Sequence, residues 1–173
     1  MKFQIKETVG FSPKIGELVS MLEYTRAVTL EDVRGLSTEK LDFLADGSSN
    51  SIGALLLHMA AVESIHQIIA FENRDLTEQE LKRWLLPFEL GDNARSAIHN
   101  QPLEYYLDEL AEVREKTLAL MRDVEDDWLY EEDQYYNGVT YNKYYLWFHV
   151  VEDETSHRGQ IRMLKRMLDN RKN

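Results

Sequence analysis

The sequence predicts an all-α protein: a four-helix bundle with short extra helices in its connections. Three observations carry that prediction. The 173 residues include only 8 Gly and 3 Pro, too few breakers for a turn-rich β fold. Apolar residues recur at steps of three and four along four long stretches, the period of a helix that buries one face. Hydrophobic content is 43% and charged content 29%, as in a soluble globular chain, and the length suits one domain over residues 1–173 with a sizeable core.

The first helical pattern covers about residues 13–34, with Ile15, Leu18, Met21 and Leu22 on its apolar face. Pro13 suits a first helical turn and Gly35 a left-handed stop. Thr29-Leu30-Glu31-Asp32 offers a place for a kink or restart. A short helix is expected from Ser37 or Thr38. The loop Asp46-Gly47-Ser48-Ser49-Asn50-Ser51 ends in good N-cap residues. From Ile52 to Phe71 the chain is apolar almost all round, which places that helix at the centre of its domain. Thr77 and Glu80 have capping-box spacing and open a shorter helix through Trp84, with a stop at Pro87. Residues 91–100 read as a connection, and Pro102 falls in a first-turn position. Tyr106, Leu110, Val113, Thr117, Leu120 and Val124 then mark another long helix. Glu125 to Asp133 is acidic and leads to Asn137-Gly138, a solvated loop with a turn signal and room for a short strand pair. The last helix spans about residues 141–169.

The net charge of −11 and the pI of about 4.9 repel phosphate backbones, so no direct nucleic-acid partner is expected. The basic end of the chain (Arg158, Arg162, Lys165, Arg166, Arg171, Lys172) complements a helix C-terminus. No apolar run reaches the roughly 18 residues of a membrane span, and the N-terminus lacks a signal-peptide pattern. A cytoplasmic location is the expectation. There is no cysteine, so any metal must be held by nitrogen and oxygen, and any reactive thiol must come from another molecule.

Two apolar seams are interrupted by groups that bind metals. One reads Leu146, Val150, Asp153, His157, Ile161, Leu164, Leu168; the other reads Leu55, His58, Val62, Ile65, Ile69. A buried unpaired carboxylate is costly, so Asp153 requires a partner. Asp153 and His157 are one turn apart on one face and can reach one point. His58, from another helix, would complete a set of two histidines and one carboxylate. Such a set leaves coordination positions open, as catalytic metal sites do. A hydrogen-bonded Asp–His pair without metal satisfies the same residues. His149 lies one turn from Asp153 on the other side, either as an alternative ligand or as an outer group orienting the ligands. His66 reads as a flank residue and His99 as exposed. Arg158 suits an acidic neighbour or an anionic substrate, Gly159 suits a close helix approach, and the aromatic run from Tyr135 to Phe148 suits packing, a pocket or a dimer face.

The segment from Asn50 through His58 to Glu63 resembles the second-helix signature of DinB-like (YfiT-like) four-helix proteins. The segment His149 to Ile161, with its His157-Arg158-Gly159-Gln160 run, resembles their last-helix signature. The resemblance spans nearly the whole chain. It implies a homodimeric bundle holding a divalent metal, zinc or nickel, on three side chains, here His58, Asp153 and His157. It also implies a small-molecule substrate and a low-molecular-weight thiol such as bacillithiol, used in S-transfer or in mycothiol-dependent isomerisation. A metal-dependent hydrolase and a non-catalytic stress-response binding protein stand as alternatives. Asp153 is a departure, since many members have a third histidine there; the isomerases, with a carboxylate, are more similar.

Overall fold

The computed structural model describes residues 3–170; Arg171 and Lys172 of the basic end lie outside them. The long helices are α1 (Pro13–Val33), α3 (Ile52–Gln67), α6 (Leu103–Met121) and α7 (Lys143–Asn170). Short helices α2 (Thr38–Leu41), α4 (Glu78–Glu89) and α5 (Gly91–Ala97) fill the connections. Two three-residue strands, β1 (Glu132–Gln134) and β2 (Thr140–Asn142), pair antiparallel across the Asn137-Gly138 turn.

The helix ends follow local chemistry. Pro13 opens α1, and Asp126 accepts hydrogen bonds from the Lys14 and Ile15 amides with one carboxylate oxygen, satisfying two donors that a first turn leaves unpaired. The helix does not kink at Thr29. That hydroxyl donates to the Thr25 carbonyl one turn back, so α1 runs unbroken to Val33. Gly35 follows at φ +68°, where a side chain would be strained. The capping box of α4 forms as its spacing requires. Helix α4 nevertheless runs past Trp84 and contains Pro87, at the loss of one amide hydrogen bond to the carbonyl four residues back; Leu90, at φ +57°, ends it. The expected connection after Leu90 is instead largely helical, as α5. Pro102 is the N-cap of α6 rather than a first-turn residue.

Helix α3 is central. It packs against α4, α6 and α7, while α1 lies along α7. Every residue of α3 is buried, and the stretch Ile52–Glu72 is long and apolar enough to cross a membrane by composition alone. That corrects the expectation that no run has this length. Its surroundings explain it, since 83% of the apolar window is buried inside the bundle. The acidic loop is also better packed than its composition suggests. Asp126–Tyr130 forms a 3-10 turn, Leu129 is fully buried, and Trp128 stacks on Phe71 at 4.4 Å.

A close helix approach occurs at Gly53, where a Cβ would lie 2.5 Å from the Tyr106 hydroxyl. Gly159 is exposed, with nothing within 4 Å of an added Cβ. Its flexibility serves no contact, so Gly159→Ala is expected to stabilise the protein by about 1 kcal/mol through helix propensity. A thermal melt that fails to rise by a few degrees would contradict this.

Candidate metal centre

The α3–α7 interface is antiparallel, and the two interrupted seams face each other across it. His58 on α3 meets Asp153 and His157 on α7. The Asp153 Oδ1 atom is 3.5 Å from His58 Nε2 and 3.2 Å from His157 Nε2. One donor atom from each residue lies within 4.8 Å of the others. The side chains are only 10 to 14% exposed, and the two imidazoles meet edge to face at 4.6 Å.

The hydrogen bonds around the cluster decide which atoms are available. His58 Nδ1 is 2.9 Å from the Pro87 carbonyl. A carbonyl can only accept, so Nδ1 carries a proton, and in the neutral ring Nε2 presents a lone pair. Pro87 lies in the last turn of α4, where carbonyls have no helical partner; the helix that outran its proline thus positions His58. Phe88 stacks on the same ring. His157 Nδ1 is 3.1 Å from the Gln160 side-chain amide. The amide nitrogen faces Nδ1 and donates to it, which puts the His157 proton on Nε2, toward Asp153 at 3.2 Å; turning the amide would reverse the tautomer and free Nε2 as a second lone pair.

Asp153 faces both rings with Oδ1, while its buried Oδ2 has no hydrogen-bond partner. Burial works to raise its pKa, but hydrogen bonds and charge from His157 and His58, which those rings supply when a proton sits on Nε2, outweigh that and hold it well below the usual carboxylate range; a cation in the proton's place acts in the same direction. A deprotonated carboxylate with an unsatisfied oxygen and two orientable imidazoles fits a divalent cation with nitrogen and oxygen ligands.

His149 lies outside this cluster. It is 41% exposed, contacts Glu152 through Nδ1 at 3.2 Å, and stacks on Tyr145. His66 is a buried residue, not an exposed flank; it pairs with His149 at a ring separation of 5.7 Å. His99 is exposed beside Asn100. Arg158 is turned onto α1, where it donates to the Thr25 carbonyl at 3.2 Å. Arg162 pairs with Asp32, and the Lys165 ammonium caps the Asp32 carbonyl. The basic end therefore fastens α7 to the end of α1. Of the aromatic run, Trp147 is fully buried, whereas Tyr145 and Phe148 are about half exposed and line a cavity with Leu18, Met21 and Val151.

The sequence reading missed a second polar cluster. Arg26, Glu63, Arg114 and Glu154 are all buried. Arg26 bonds both carboxylates, and Arg114 grips Glu63 with two nitrogens at 2.7 and 3.0 Å. Thr117 donates to Glu63 as well. The signal was present: Glu63 stands in a helix that is apolar all round, and Arg26 follows Leu22 by one turn on the core face.

A bundle of long helices closed around an inward-facing histidine–carboxylate cluster defines a DinB/YfiT-like protein. The chain belongs to the mycothiol-S-transferase family, whose match spans residues 17–170. Two solved structures show the same fold. A conserved Enterococcus faecalis protein is 14% identical over 88% of this chain and 95% of its own, with a TM-score of 0.68. A Streptococcus pneumoniae protein is 16% identical over 94% of each chain, with a TM-score of 0.67. No curated protein matches the sequence.

Proposed function

We propose that the chain holds a divalent ion, zinc or nickel, on His58, Asp153 and His157, and joins a whole low-molecular-weight thiol, through its sulfur, to a small electrophile, the thiol proton being released. The observation that supports this most directly is the meeting of two acceptors. With its proton fixed on Nδ1, His58 turns a lone pair toward the Asp153 carboxylate at 3.5 Å. Only a positive charge between them, a proton or a cation, makes that approach favourable. When bound, the ion supplies Lewis acidity that favours a thiolate over a thiol at neutral pH.

The protein's own groups orient and enclose. The Pro87 carbonyl holds the His58 Nδ1 proton, an outer contact that raises ligand basicity, and the Gln160 amide orients the His157 ring from Nδ1. Phe88 covers one ring and limits access of water. With no cysteine in the chain, the sulfur must arrive on a separate molecule. The family name favours mycothiol over bacillithiol as the first thiol to try. In the same reading, residues 1–173 work as one cytoplasmic domain that pairs as a homodimer.

The test is conjugation of a chromogenic electrophile by zinc- or nickel-loaded protein, with mycothiol, bacillithiol and glutathione in turn. Turnover is expected with at least one thiol and is expected to vanish in His157→Ala. Turnover that needs no thiol would favour hydrolysis, and none with any thiol would remove the transferase reading.

A further inference from the structure

Eight residues along α3 from His58, and eight back along α7 from His157, the same interface brings His66 against His149. This second rung lies roughly 12 Å along the helix axes from the first. His66 Nδ1 donates to the Val62 carbonyl at 2.7 Å, and His149 Nδ1 faces the Glu152 carboxylate at 3.2 Å. Both partners accept only, so both rings keep a proton on Nδ1 and a lone pair on Nε2. Neither Nε2 has a hydrogen-bond partner among the described residues. His66 is only 7% exposed.

We propose that His66 and His149 form a second transition-metal site, binding zinc, nickel or copper(II) through their Nε2 atoms. The tautomers are those of ligating histidines, whose other nitrogen is committed to a carbonyl or carboxylate. The ring separation of 5.7 Å is near the roughly 5 Å that two imidazoles adopt around one tetrahedral ion at about 2.1 Å. Burial, the largest influence, and the neighbouring His149 lower the His66 pKa to about 4, so the ring is neutral, the form that ligates. Asp153, four residues from both His149 and His157, exerts its charge on His66, and its orphan Oδ2 gives the region an uncompensated acceptor. The separation of the rungs exceeds the roughly 4 Å of paired catalytic ions. The second ion is therefore independent of the first.

The site stands without the first one. Equilibrium dialysis of the full, metal-stripped chain against zinc should show two ions per chain at saturation. His149→Gln changes the more exposed partner and should reduce this to one, with helicity intact. His58→Ala with His157→Ala should also leave one, which His149→Gln then removes. A wild-type maximum of one ion, or two that survive His149→Gln, overturns the second site. Loss of the first ion only, in either background, bears on the first site alone.

Discussion

Replacing Glu63 with alanine is expected to lower stability by about 3–5 kcal/mol, the range for removing one member of a buried ion pair. For a chain of this length that is a fall of roughly 6–20 °C in Tm. Two guanidiniums, from Arg26 and Arg114, would be left in the core with Glu154 as their one buried carboxylate, and the Thr117 hydroxyl would lose an acceptor. The same group has a pH signature. Burial pushes the Glu63 pKa up, but Arg114 and Arg26 outweigh it and bring it down to about 2, from an ordinary 4.5. Its contribution to stability is complete above about pH 4.5 and is lost as pH falls toward 2, because the unfolded chain takes up the proton first. Denaturant unfolding at pH 7 and pH 3 should show this acid loss in the native chain and less of it in Glu63→Gln. A Glu63→Ala protein within a degree or two of the native Tm would refute the network's role.

Asp153→Ala is expected to weaken metal binding by more than about 100-fold, beyond the 10- to 100-fold typical of losing a group that only orients a ligand. Asp153→His should keep the ion, since it replaces one anionic donor by a neutral nitrogen donor at the same position. Competition with a chelating dye measures both. A further readout is thermal: zinc should raise the Tm of the native chain by mass action, and raise that of Asp153→Ala by less. Equal dye-competition affinities for the native and Asp153→Ala proteins would remove Asp153 from the site.

The bundle was legible because helical period and caps are local. Pro13, Gly35, the Thr77–Glu80 box and the Asn137-Gly138 turn each took the expected place. Pro87 misled because a proline weakens a helix without always ending it; α4 continues to Glu89, and the turn so kept supplies the carbonyl that orients His58. The pairing of His58 with Asp153 and His157 followed from two seams that each lacked apolar residues at core positions. His66 and His149 escaped notice because their relation depends on the antiparallel register of α3 and α7, which no local pattern encodes. Arg26 and Arg114 were hidden by their length, since a guanidinium reads as exposed until its partner carboxylate is found across the core.

The most direct test is the metal content of protein purified without an affinity tag, for the native chain and for His58→Ala, Asp153→Ala and His157→Ala. At least one equivalent of zinc or nickel is expected in the native protein, and each variant should lose that equivalent while keeping its helical content. Metal content that is the same in the native chain and in all three variants, or a native chain that stays empty after exposure to zinc and nickel, would contradict the centre.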